Sequence, residues 1–142
     1  MISIDSRIRQ LLIDDALNTF PDECCGFLFG RDEHDGTRFV LDILVVDNAK
    51  AGDKTRRFEI SPQDYMTAEV HALENDWTLL GIYHSHPKHP AIPSETDRLA
   101  AQPYFSYVII SVMDADTTLL RSWLLNDEQQ FEEETISDYQ YQ

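Results

Sequence analysis

The chain is predicted to fold as an α+β domain, a sheet with helices packed on it, and three observations carry that prediction. Apolar residues recur at helical spacing between residues 5 and 18. Two stretches, 24–46 and 107–125, each hold a pair of apolar strand patterns split by turn-forming residues, so a hairpin lies toward either end. Between them, two helix-start signals follow short apolar runs. The resulting order is α, β-β, short β, α, β, α, β-β, which is not the regular alternation of a parallel α/β sheet.

Ile4, Ile8, Leu11, Leu12 and Leu17 place one apolar stripe on the first helix, and Pro21 lies beyond its end as a stop signal. The strand that follows spans 24–31. Asp35-Gly36 marks a turn, and 37–46 alternates Phe39, Leu41, Ile43 and Val45 on one face, so these two strands form a hairpin. Residues 48–57 are polar, contain Gly52 and four basic side chains, and read as a loop at the border of a cleft or as a plain solvated connection. A short strand at 58–60 precedes a strong helix start, Ser61 as cap with Pro62 in the first turn, and that helix runs to about Asn75. His71 lies inside it and is read as structural or surface. A buried strand at 78–84, a helix from Ser94 to about Gln102 stopped by Pro103, and strands at 107–113 and 119–125 complete the order. From Asn126 the chain becomes an acidic tail, expected to fray after one last short strand. No internal repeat is present. A length of 142 residues with 42% hydrophobic side chains suits one domain over 1–142.

Eleven basic against 26 acidic residues give a formal charge of −15, which repels phosphate backbones and anionic lipid surfaces, so nucleic acid and membrane partners are not expected. The start lacks the apolar core of a secretory signal, no run approaches the roughly 20 apolar residues a membrane helix needs, and a cytoplasmic location is expected. The only cysteines, Cys24 and Cys25, are neighbours, which excludes a disulfide framework.

The informative stretch is 84–97. His84 and His86 stand at the end of a buried strand and project to the same side, because side chains alternate with period two, while Ser85 points to the other. Pro87, Pro90 and Pro93 forbid a helix and restrict the loop that follows. Ser94 and Asp97 have the spacing of a capping box, which sets the Asp97 carboxylate beside the first helical turn. Two imidazoles and one carboxylate are ligands of the type catalytic zinc uses, with a fourth position left for water. Taken singly, strand-end histidines are more often surface groups, and Ser94 with Asp97 explains itself as a cap. The combination is what points to zinc.

His84-X-His86-Pro87, six residues, Ser94, two residues, Asp97 resembles, without gap or substitution, the signature of the JAMM (MPN-type) zinc metalloproteases. That family also places a glutamate before a Cys-Gly pair at an early strand, and Glu23 ahead of Cys25-Gly26 fits the position. The resemblance implies a curved, mostly antiparallel sheet of cytidine-deaminase-like architecture with one zinc per chain at its rim, held by His84, His86 and Asp97. It implies Glu23 as the general base and Ser94 as a donor to the oxyanion. It further implies hydrolysis of an amide or isopeptide bond after the C-terminal Gly-Gly of a ubiquitin-like protein, of the sulfur-carrier type for a small stand-alone bacterial form. The short interval between Asp97 and Tyr107 leaves little room for the inserted segments of the eukaryotic deubiquitinating members.

Other zinc signatures fit less well: the metallo-β-lactamase pattern wants an acid where Lys88 stands, and amidohydrolase barrels need about 250 residues. Two further classes stay open, a zinc hydrolase of a small amide or peptide and a non-catalytic MPN interaction scaffold. The sequence also leaves open a homodimer and whether His89 or the 48–57 loop touches substrate.

Overall fold

In the computed structural model, which describes residues 1–141, the chain forms eleven elements in the order β1 (Ile2–Ser3), α1 (Ser6–Thr19), β2 (Cys25–Asp32), β3 (Arg38–Val46), α2 (Pro62–Glu74), β4 (Thr78–Pro87), α3 (Glu95–Ala100), β5 (Ser106–Asp114), β6 (Thr117–Leu125), β7 (Phe131–Glu134) and β8 (Ile136–Ser137). The strands make one mixed sheet of order β7-β6-β5-β4-β2-β3-β1-β8. Pairing is antiparallel except at β4–β5, β1–β3 and β1–β8.

Thr135 alone separates β7 from β8, the two edge strands, so one piece of chain joins both edges of the sheet. The Ile2 N–H donates to the Thr135 carbonyl at 2.9 Å, and the Met1 ammonium lies 3.7 Å from the Glu134 carboxylate. The sheet is therefore nearly closed, and its interior is occupied by α1. Ile8, Leu12 and Ala16 of that helix pack with Ile2, Leu28, Val40, Leu80, Val108 and Leu120 from β1 to β6. An edge closed this way presents fewer free backbone groups for pairing with another chain.

The opposite face carries a second apolar cluster, in which Ala68 and Ala72 of α2 pack on Phe27, Phe29, Ile82 and Tyr107. Small residues on α2 let the helix sit close to the aromatic rings beneath it. Both long helices are capped by a side chain: Asp5 accepts from the Ile8 N–H at 3.0 Å, and Ser61, the cap the sequence predicts, from the Asp64 N–H at 3.1 Å. Among the described residues, no helix is long and apolar enough to cross a membrane.

Several expectations are corrected. Residues 58–60 form no strand and join no sheet; their partners are local, Ala49 donating to the Glu59 carbonyl at 2.8 Å and Glu59 to the Asn48 side chain at 3.1 Å. Strict alternation along β3 fails because a bulge between Phe29 and Gly30 leaves Leu41 opposite no partner. Val40 and Ile43 therefore share the α1 side, and Val45 is 55% exposed. The helix from Ser94 stops at Ala100, not Gln102, and the strand expected at 78–84 runs on to Pro87, carrying both histidines within it. The tail does not simply fray. Glu134 is buried and accepts from the Ser122 hydroxyl at 2.8 Å, and the residues after it reach β1.

Candidate metal centre

β4 is the wall on which the site is built. Along it Tyr83 and Ser85 face the α1 side, and Ile82, His84 and His86 face the other. Ser85 accepts the Cys24 N–H at 2.8 Å, and its own N–H donates to the Cys24 carbonyl at 3.2 Å. Since Cys25 pairs with His84 in the antiparallel ladder, Glu23, two residues earlier, lies level with His86. Gly26 sits where β2, β3 and β4 crowd together. A Cβ there would lie 2.3 Å from the Leu44 carbonyl oxygen and 2.5 Å from the Tyr83 ring, so only glycine fits. The Tyr83 hydroxyl that fills this space donates to Asp15 at 2.8 Å and anchors β4 to α1.

The loop after Pro87 returns a carboxylate to the histidines. Ser94 caps α3 by accepting the Asp97 N–H at 3.0 Å, and Asp97 Oδ2 accepts the Ser94 N–H at 2.9 Å, the reciprocal capping box. The same Oδ2 lies 3.3 Å from Nε2 of both His84 and His86, and the two Nε2 atoms are 3.0 Å apart. Capping and convergence on the histidines are thus done by one carboxylate.

This triangle fits a zinc ion. Ligands about 2.0–2.1 Å from a tetrahedral centre lie roughly 3.3 Å from one another, which is the spacing found. One of the two histidines also makes the second contact that orients a metal ligand. His86 Nδ1–H is positioned to donate to the Pro90 carbonyl at 2.8 Å, which fixes the tautomer that leaves Nε2 as the free donor. His84 is stacked on Phe58 with ring centroids 4.5 Å apart. Its Nδ1 is buried with no partner, and burial holds its pKa below the ordinary histidine value, favouring the neutral ring that binds metal. For Asp97, burial pushes the pKa up, but the two imidazoles beside it and the Ser94 N–H outweigh that, and the group is held well below the usual carboxylate range. For His86, burial opposes the charged form while Asp97 and the Pro90 carbonyl favour it, with a net upward shift.

Glu23 is 5% exposed, and burial, partly offset by His86, raises its pKa to about 8. With His86, Ser94, His89, Pro90, Ile92, Arg56 and Arg57 it lines a cavity of about 370 Å³ on one side of the triangle. The Ser94 oxygen already accepts the Asp97 N–H, so its own hydroxyl proton is free to point into that space. On the other side, Phe58, Ile60, Tyr65, Ile82, Ala100 and Tyr107 line a mainly apolar cavity of about 290 Å³ that reaches His84 and Asp97, with Arg57, Glu59 and Thr96 also at its wall.

All five residues singled out by the sequence motifs are brought together, and Ser85 points away as predicted. His71 does not join them: it packs edge-on against Phe29 and pairs with Asp42 at 3.2 Å. The two cysteines are buried, and burial pushes the Cys25 thiol up to about 12 and Cys24 higher still, which disfavours the thiolate at both. Three contributors have no signal in the sequence. Phe58 and the Pro90 carbonyl orient the two imidazoles. Asn48 pins the 48–57 loop by donating to the Glu23 carbonyl at 3.1 Å and the Arg57 carbonyl at 3.0 Å.

Residues 5–126 match the family model described as prokaryotic homologues of the JAB domain. The chain belongs to this family. As a prokaryotic JAB-domain protein it is similar to the CysO-cysteine peptidase of Mycobacterium tuberculosis, 31% identical over 129 residues, which is 89% of this chain and 84% of that one. It is also 26% identical to the desampylase of Pyrococcus furiosus over 80% of this chain and 74% of the relative. Among solved structures, a Desulfitobacterium hafniense protein superposes with a TM-score of 0.86 at 32% identity, covering 96% of this chain and 91% of that one. A JAB1/MPN domain protein from Archaeoglobus fulgidus, 17% identical, shares the fold with a TM-score of 0.56 over 96% of this chain and 95% of its own.

Proposed function

We propose that this JAB-domain protein is a zinc metallopeptidase that hydrolyses the amide or isopeptide bond following the C-terminal Gly-Gly of a ubiquitin-fold, sulfur-carrier type protein. The observation that carries the reading is the triangle of His84 Nε2, His86 Nε2 and Asp97 Oδ2 at 3.0–3.3 Å, with a buried carboxyl, Glu23, lining the cavity beside it. The peptidase name of the mycobacterial relative supports amide hydrolysis. The family resemblance of the motifs supplies the ubiquitin-fold substrate.

A zinc ion held by these three residues supplies Lewis acidity toward a carbonyl and lowers the pKa of water to near neutrality. The chain's own groups do the rest. Glu23, shielded from bulk water, takes a proton from the attacking water and passes it to the leaving nitrogen. Ser94 donates its hydroxyl to the carbonyl oxygen as that oxygen gains charge. His84, clamped by Phe58, and His86, held by the Pro90 carbonyl, keep the donor atoms fixed while this happens.

The test is intact-mass analysis of ubiquitin-fold carriers, each extended beyond Gly-Gly by cysteine or a short peptide, incubated with zinc-loaded wild type and with Glu23→Gln. Cleavage after the second glycine by wild type alone is expected. No cleavage of any carrier, with zinc bound stoichiometrically, would refute the reading and leave a small-amide hydrolase or a scaffold.

A further inference from the structure

We propose that Asn48 is a positioning residue that seats the base and a metal ligand in one frame: its single amide holds the main chain of Glu23 and brackets Phe58, the ring on which His84 rests. The Glu23 half of this assignment deepens the peptidase reading above and rests on it. The His84 half asks only that the triangle binds zinc.

The place of Asn48 follows from the sheet. The β2–β3 ladder ends with Cys25 opposite Val46, so Glu23, two residues earlier, is level with Asn48, two residues later, where strand pairing has stopped. Neither main-chain polar group of Glu23 is held by a strand. Its N–H donates to the Lys54 carbonyl at 2.7 Å, and its carbonyl accepts from the Asn48 side-chain amide at 3.1 Å. The carboxyl that carries the proton therefore stands on backbone fixed by the 48–57 loop.

His84 depends on the same loop. A metal-bound imidazole ordinarily donates its second N–H to a carboxylate, a carbonyl or water, as His86 does to the Pro90 carbonyl at 2.8 Å. Nδ1 of His84 has no partner among the described residues. Its ring is held by stacking on Phe58, with 4.5 Å between centroids and 24° between planes. Phe58 lies in no strand or helix, and the peptide groups on either side of it are both bound by Asn48. The side-chain nitrogen donates to the Arg57 carbonyl at 3.0 Å, and the side-chain oxygen accepts the Glu59 N–H at 3.1 Å.

With a further bond from the Lys50 N–H at 3.0 Å, this amide donates twice and accepts twice, which is its full capacity. Aspartate at the same place would keep the acceptors and lose both donors. Glutamine would carry the same groups one methylene farther out. A shift of Asn48 moves Glu23 and Phe58 together, and a misplacement of about 1 Å at a catalytic group costs roughly a hundredfold in rate.

The test measures zinc affinity of the full chain by chelator competition, and kcat and KM of the zinc-loaded chain on a ubiquitin-fold carrier extended beyond Gly-Gly by a short peptide. In Asn48→Ala, zinc affinity is expected to fall about tenfold and kcat about 10- to 100-fold, the range for groups that orient metal ligands, with KM little changed. Double-mutant cycles separate this role from plain anchoring of the loop. Added to Phe58→Leu, Asn48→Ala is expected to cost no further zinc affinity; added to Glu23→Gln, it is expected to cost no further kcat. Losses that multiply in either cycle would overturn the matching half, and wild-type zinc affinity and kcat in Asn48→Ala would overturn both. Asn48→Asp, which loses only the donors to Glu23 and Arg57, is expected to reproduce both losses and takes the place of the alanine variant should that one not fold. If wild type with zinc bound cleaves no carrier, the peptidase reading fails and the Glu23 half with it, while the zinc cycle still decides the His84 half.

Discussion

The Ser85 hydroxyl accepts the backbone N–H of Cys24 at 2.8 Å, on the face of β4 turned away from the two histidines. The residue between the two histidines thus holds the strand next to Glu23 in register with them. Ser85 and Cys24 are both buried, so Ser85→Ala leaves an N–H without a partner, at a cost of about 1–3 kcal/mol. Urea unfolding of zinc-free protein checks this. A loss well under 1 kcal/mol, on the order of surface substitutions, would show that the contact is incidental.

Glu23→Gln keeps the shape of the side chain and removes its ability to carry a proton. Zinc content is expected to stay at one per chain while turnover drops by roughly two to four orders of magnitude. Stoichiometry by metal analysis and rates by intact mass test the two halves separately. Full activity would remove Glu23 from the mechanism.

Asp97 both caps α3 and faces the histidines, and the roles separate by substitution. Asp97→Asn retains an oxygen that can accept the Ser94 N–H but loses the charge, so the cap is expected to survive and zinc affinity to fall. Asp97→Ala and His86→Ala are expected to lose zinc and activity together. Unchanged zinc stoichiometry in either alanine variant would break the ligand assignment.

Zinc binding should stabilise the fold by mass action, because the donor triangle joins β4 to the start of α3 and an unfolded chain does not present it. The gain is about 2.7 kcal/mol when free zinc is a hundred times its dissociation constant. Thermal melting with zinc or with a chelator reads this in wild type. The difference is expected to vanish in His84→Ala.

Gly26→Ala is expected to destabilise the protein by about 1–3 kcal/mol or more through overpacking. The added methyl meets a backbone carbonyl, Leu44, which cannot swing aside as a side-chain tip would. Unaltered stability would mean that β2 and β3 can part at this point.

Much of the fold was legible because periodicity and punctuation agreed. The α1 stripe, the Ser61-Pro62 start and the two hairpins each gave local signals that packing did not override. The motif residues were legible for a different reason, since His84, His86, Ser94 and Asp97 lie within fourteen consecutive positions whose strand, prolines and cap fix their geometry locally. What escaped depended on distant pairing. β1 and β8 are two residues each and exist because Thr135 carries the chain from one sheet edge to the other. The Leu41 bulge answers to β2, not to its own neighbours. Asn48 looked like one more polar loop residue, and its role appears only when the carbonyls of Glu23 and Arg57 arrive beside it.

The central claim is that His84, His86 and Asp97 hold zinc, and X-ray diffraction from zinc-loaded crystals at energies either side of the zinc absorption edge tests it most directly. One anomalous peak within about 2.0–2.2 Å of His84 Nε2, His86 Nε2 and an Asp97 oxygen is the expected result. A peak held by other residues, or none at this triangle in protein shown to contain zinc, would contradict the account.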